Sequence, residues 1–260
     1  LSDNGCGEDA QQYQKAAKQL LNAIEASIHK VQTKFNIKSI PVSCNRRMDS
    51  AAIGSLVCRY PAQIYSADDP RILATADYIF KNHCFNNGFL LGVSHSGINA
   101  YLTLHLAQIF MQAGDDRFMP LSDEITALAS PTGQWPEAIH PQTRGGCMGD
   151  GQHMWASAEW INFIRNSLLY EERKSNTLVI GAGIHKDWSK PGQTVEIGPA
   201  PTIFGTVNIK FDFTNNQANI EINPDWHSQQ PNIKIRIPGF QRVSPTQELD
   251  NIIVKRGGDN

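Results

Sequence analysis

The sequence predicts a mainly α fold, a segment of a helical toroid, followed by a smaller antiparallel β-sandwich-like tail. Three observations carry this. Apolar residues recur at three- and four-residue steps in several segments up to about residue 170. The loops between those segments are long and hold Trp, His and carboxylates, as they do where one end of a helical ring builds a site. After Lys174 the apolar period changes from about 3.6 to 2.

Along the first part, Tyr13, Ala17, Leu20, Ile24, Ile28 and Val31 place a long amphipathic helix over 8–35, with one face expected to be buried. A second helical stretch is expected over 48–58, closed by Pro61. Asp68-Asp69-Pro70 reads as an N-cap with proline in the first turn of a third helix carrying Ile72, Ala76, Ile79 and Phe80. The stretch 97–113 is apolar nearly all round and ends at Gly114, so other helices should surround it. A short helix over 122–129 leads into a Pro, Gly and Thr-rich loop, 131–151, and a long helix over 152–172 follows. Val207, Ile209, Phe211 and Phe213, then Ile220 with Ile222, then Ile233, Ile235 and Ile237 alternate as antiparallel strands with one wet face. The segment 186–201 reads as a linker, and two units are expected, 1–175 and 176–260.

Composition excludes several classes. The 260 residues are 40% hydrophobic and 18% charged with a formal net charge of -2, ordinary for a globular chain. Asn45-Arg46-Arg47 and Lys255-Arg256 are too short to grip a phosphate backbone, so nucleic acid is set aside as a partner. No apolar run approaches the roughly 20 residues of a membrane helix, so no membrane partner is expected. The five cysteines show neither CxxC nor a ligand spacing and are read as buried thiols of a reducing, cytoplasmic compartment. Because the chain starts Leu1-Ser2-Asp3, a processed secreted form is the alternative.

The chemistry concentrates in Gly133-Gln134-Trp135-Pro136-Glu137-Ala138-Ile139-His140-Pro141 and Gly149-Asp150-Gly151-Gln152-His153-Met154-Trp155-Ala156-Ser157-Ala158-Glu159-Trp160. A pyranose offers an apolar C–H face and a rim of hydroxyls, so a sugar site needs indole platforms beside hydrogen-bonding groups. Trp135 and Trp155, with Glu137, His140, Asp150 and His153, supply both.

These segments resemble the last helical hairpin of glycoside hydrolases on the (α/α)6 six-hairpin toroid, nearest to the glucoamylases of glycoside hydrolase family 15 and the glycogen-debranching relatives. Asp49-Ser50-Ala51 and Tyr65-Ser66-Ala67-Asp68-Asp69-Pro70-Arg71 resemble an earlier segment of the same family in order and spacing. The similarity covers about residues 10 to 170. It implies an inverting glycosidase acting on α-linked glucosides or another α-glycan, with an oligosaccharide or polysaccharide substrate and no cofactor. Glu137 falls on the catalytic base; Trp135, Asp49, His95, His140, Asp150, His153 and Trp155 are the implied substrate contacts. The general acid would lie upstream. A full toroid needs twelve helices and about 350 to 450 residues, and about six are legible here. The resemblance therefore implies the C-terminal half of a barrel that associates with a missing N-terminal half or with itself.

Each residue also has a plainer reading. Glu137 could contact sugar without moving a proton, or cap a loop. Trp160, a turn beyond Trp155, reads as core packing. Glu159 could serve the site or pair with Arg165 or Arg144. Asp49 is also a helix cap, and Asp68, Asp69 and Arg71 a cap and its partner. A serine nucleophile within Ser94-His95-Ser96-Gly97 would need an elbow that is missing, and His140, Cys147, Asp150 and His153 match no zinc spacing, so no metal is expected. A non-catalytic carbohydrate-binding or assembly module, and a lyase or epimerase using His140 or His153 as base, are the alternatives.

Overall fold

A computed structural model describes residues 6–45, 48–93, 96–246 and 249–257. The chain is not a mainly-α toroid: it is 38% helical and 25% strand, with twelve strands in three sheets among the described residues. The helices are α1 (Gly7–Phe35), α2 (Pro70–His83), α3 (Ala100–Ala113), α4 (Phe118–Ala127) and α5 (Met154–Leu168), with 3-10 turns at Ser50–Cys58 and Arg173–Ser175.

The helix ends follow local chemistry. Asp69 Oδ1 accepts the Arg71 amide at 2.8 Å with Pro70 in the first turn of α2, and Asn99 Oδ1 accepts the Leu102 amide at 3.0 Å to open α3. Gly114, at φ +77°, closes α3 in the left-handed conformation a glycine adopts without penalty. Arg71 ties its own cap to α1, reaching Asp69 at 2.8 Å and Glu25 at 2.7 Å.

Between the helices lie strands too short to alternate visibly. β1 (Cys84–Phe85), β2 (Gly88–Leu91), β3 (Gly97–Ile98), β4 (Ala138–Ile139) and β5 (Gly146–Met148) form one sheet in that order. It binds the loop after α2, the approach to α3 and the 131–151 segment into one layer. The long helix expected over 152–172 ends at Leu168, and β6 (Leu169–Glu172) continues it as a strand. β6 pairs antiparallel with β7 (Thr177–Ile180), which pairs in parallel with β11 (Asn232–Ile235). A four-stranded sheet in the order β12-β10-β9-β8 comprises β8 (Thr194–Thr202), β9 (Gly205–Phe213), β10 (Gln217–Trp226) and β12 (Ile252–Lys255). The second half of the segment read as a linker is therefore strand β8, paired along β9.

Two apolar clusters organise the chain. One gathers Ile72, Ile79, Phe89, Leu104, Phe110, Leu121 and Trp135 around α3. The other gathers Leu169, Leu178, Ile180, Val207, Phe211, Ile220 and Ile235 between the two C-terminal sheets. β7 is buried on both sides because Val179 belongs to the first cluster and Leu178 and Ile180 to the second. The expected buried face of α1 is buried only near its end, at Ile28 and Val31; Tyr13 and Leu20 are 65% and 63% exposed. The cysteines differ likewise from the expectation of burial: Cys6, Cys44 and Cys147 are exposed. Among the described residues no helix is long and apolar enough to cross a membrane.

A buried ion pair ties the helices to the β-rich part. Arg59, 1% exposed, grips Glu172 at the end of β6 with both guanidinium arms, and Arg59 Nη1 also reaches the Tyr65 carbonyl. Removing one partner strands a desolvated charge, while apolar replacement of both need not. Arg59→Met should cost about 3 kcal/mol in urea unfolding, and the Arg59→Met, Glu172→Met double variant should recover much of that loss.

Candidate functional site

The site is built where the N-terminal ends of α3 and α5 meet the loop 131–151. Asn99 is the junction. It is 1% exposed, its Oδ1 caps α3, and its Nδ2 donates to the Glu137 carbonyl at 3.1 Å. The Asn99 amide donates to the Phe89 carbonyl, so β2, α3 and the Glu137 loop converge on one side chain and its backbone. The loop's far end is pinned where the His153 amide donates to the Trp135 carbonyl at 2.8 Å, just before α5 begins. Gly149 allows the loop to fold on itself. It sits at φ +82°, and a Cβ there would lie 3.1 Å from the Glu137 amide nitrogen, a spacing side chains rarely tolerate.

Beside Glu137 stands an aromatic patch. Tyr101, His153 and Trp155 lie with ring centroids 5.4 to 5.8 Å apart, mostly edge to face. Trp155 is 66% exposed. The Tyr101 hydroxyl is pushed above its usual pKa, first by burial and then by the Glu137 charge, which places Glu137 within electrostatic reach of the patch. His153 Nδ1 is out of solvent contact and has no hydrogen-bond partner. The exposed Trp155 indole, the neighbouring Tyr101 and His153 rings and a half-buried carboxylate form a surface on which a hydroxylated ring could lie.

Other residues expected at the site are placed differently. Trp135 is 3% exposed, donates Nε1–H to the Ile125 carbonyl at 2.8 Å and packs on Trp160, so it supports the loop from the core. His140 is exposed and its Nδ1 accepts the Gln142 and Thr143 amides, which caps the turn between β4 and β5. Asp150 accepts the Gln152 amide in a turn of its own. Asp49 caps the 3-10 turn through the Ala51 amide, and Ser50 Oγ lies 3.8 Å from a Cβ position on Gly92, which places that cap near the loop entering β3. His95 lies outside the described residues. Among the described residues no group of three or more His, Cys, Asp or Glu is gathered as for a metal ion. A groove of about 700 Å³ runs along the outer side of the loop, lined by Gln134, Pro136, Arg144, Met148 and Asp150.

Sequence reasoning missed a polar seam beneath the aromatic patch. Tyr101, His105, Gln108 and Gln112 step along one face of α3 at intervals of four, three and four, a stripe that could have been read within an otherwise apolar helix. On α5, Trp155, Glu159 and Asn166 face it. Glu159 accepts from Tyr60 Oη at 3.3 Å and from Gln108 Nε2 at 3.4 Å, and Asn166 Nδ2 donates to Gln108 Oε1 at 3.3 Å. Neither expected arginine reaches Glu159: Arg165 holds Glu171 at 2.7 Å and Arg144 holds Glu124 at 2.8 Å. Burial raises the Glu159 carboxyl to about 7, against the two hydrogen bonds that favour its ionised form. Burial also lowers His105 to about 4, with a hydrogen bond involving the Leu56 backbone opposing it. His105 stacks edge-on to Tyr60, and its Nε2 has no partner.

No protein-family model matches the chain, and no curated protein matches it. Solved structures give partial likenesses. A single-residue variant of a glycosidase aligns with TM-score 0.44 and 16% identity over 57% of this chain and 44% of that one. A wild-type glycosidase aligns with TM-score 0.39 and 18% identity, and a glycosidase variant in complex with glucose with TM-score 0.39 and 17% identity, each over 45% of this chain and 35% of the other. The chain thus spans 35% to 44% of the length of these structures.

Two measurements check this geometry. Asn99→Ala removes a helix cap and leaves the Glu137 carbonyl without its donor, so urea unfolding should show a loss of about 2 kcal/mol. For Glu159 the folded pKa is raised, so its contribution to stability is full below about pH 4.5 and is lost as the pH rises through about 7. Thermal melting across that window should show wild type losing stability relative to Glu159→Gln. Parallel curves would place the carboxyl in water.

Proposed function

We propose that the chain carries the carbohydrate site of a glycoside hydrolase acting on an α-linked glucoside or related glycan by inversion, with Glu137 as general base. One observation carries the reading. The half-buried Glu137, its backbone held by Asn99, stands within electrostatic reach of an aromatic patch whose outer indole is 66% exposed. Trp155 offers the face for a pyranose C–H surface, Tyr101 and His153 border it, and Glu137 takes the proton of the attacking water. Inversion requires a partner acid about 6.5 to 9.5 Å from that carboxylate, with room for the water between them.

A non-catalytic carbohydrate-binding role is the second reading. It is favoured by Asp150, the other carboxylate in this loop, which is committed to its own turn rather than turned toward a partner for Glu137. Sugar release from maltose, isomaltose, trehalose and cellobiose by the wild-type protein, Glu137→Gln and Trp155→Ala separates the two. Hydrolysis should fall by about three orders of magnitude or more in Glu137→Gln, while Trp155→Ala mainly raises KM. Binding of one of these sugars without release by any of the three proteins would establish the binding role.

A further inference from the structure

At the opposite end of α3 from Glu137 lies a second cleft, of about 480 Å³, between the helices and strand β11. The rise of a 14-residue helix sets the two about 20 Å apart. Lys234 and Arg236 come from β11 and the residues just after it, and Arg242 from the segment whose Val243 bridges to Ile235. The guanidiniums of Arg236 and Arg242 converge: a Cβ on Gly114 would lie 2.6 Å from one Nη2 and 3.3 Å from the other. Among the described residues no carboxylate forms an ion pair with Lys234, Arg236 or Arg242.

Helix capping explains part of this cluster. Arg236 Nη1 donates to the Gln112 carbonyl at 3.1 Å, at the end of α3 where carbonyls face outward and cations are favoured. Among the described residues it leaves Arg242 and Lys234 without a hydrogen-bond acceptor, and it leaves like charges side by side, which costs free energy until an anion lies between them. A second feature lies at the same cleft. Gln112 is 3% exposed and lines it, yet its Oε1 has no hydrogen-bond donor. A buried acceptor in that state lacks a donor, and a ligand O–H can supply one. On the other wall Glu172 is already neutralised by Arg59, and Asp68 is open to solvent as a further hydroxyl acceptor.

We infer that this cleft binds a small hydroxylated oxyanion, a sugar carboxylate or sugar phosphate, with Arg236, Arg242 and Lys234 on the anionic group and Gln112 Oε1 accepting from a hydroxyl. Guanidinium forks match carboxylate and phosphate oxygens in pairs, and a neutral sugar offers them no charge and no paired oxyanion.

Calorimetric titration of the full chain with glucuronate, glucose 6-phosphate and glucose at low ionic strength tests this. At least one of the two anions should bind saturably at about 1 mM or tighter while glucose at equal concentration does not compete, and the tighter anion identifies the source. Arg242→Gln and Lys234→Gln, both solvent-exposed replacements, should each weaken it by about tenfold or more with unchanged melting temperatures. Glu137→Gln should leave it intact. Saturation by neither anion, an affinity in both cation variants unchanged from wild type, or loss in Glu137→Gln would overturn the assignment.

Discussion

The arrangement of the candidate site depends on one buried amide. Asn99 has an acceptor and two donors to satisfy out of water, and a buried polar group left unmade costs more than a hydrogen bond gains. The acceptor caps α3 and one donor holds the Glu137 carbonyl, so the start of the central helix and the carboxylate loop occupy one fixed relation. Thr103, a turn below, links the Asn99 carbonyl to the Phe89 amide and ties β2 into the same junction. The loop is long and rich in glycine, yet it closes as a two-stranded hairpin on β3 because its first residues are anchored here and its last at Trp135.

Below that junction the contact between α3 and α5 is polar where a packed helix pair would ordinarily be apolar. Tyr60, His105, Gln108, Glu159 and Asn166 meet out of bulk water, and the low dielectric drives both titratable groups toward neutrality. With Glu159 at about 7 and His105 at about 4, the seam changes charge near neutral pH through the carboxyl alone. Gln112 carries the same stripe to the far end of α3. The helix therefore presents hydrogen-bonding groups from the aromatic patch to the cationic cleft.

Much of the helical scaffold could be read from the residues. α1, α2 and α3 lie where apolar spacing, the Asp69-Pro70 start and the Gly114 stop put them. The alternation of Val207, Ile209, Phe211 and Phe213 marks β9 residue by residue. Of the residues expected at the candidate site, Glu137, His153 and Trp155 lie around Tyr101, a residue the apolar reading of its helix concealed. Trp135, His140 and Asp150 are chemically apt but turned elsewhere, because composition does not say which way a side chain points. The toroid expectation failed on strands of two to four residues. A strand that short has no period to detect, and its pairing is decided by distant partners.

What the sequence by itself determined is local: helix caps, breaks, alternation and the crowding of aromatic and polar residues into 133–160. These follow from interactions spanning a few residues, so a short stretch suffices to specify them. Tertiary structure alone decided the pairing of β7 with β11 across some fifty residues, the Arg59–Glu172 link, the Glu159 seam and the convergence of Arg236 with Arg242 on Gly114. Each joins residues far apart in the chain. Their energies arise only once burial has removed water from between them, and no run of neighbouring residues records that event.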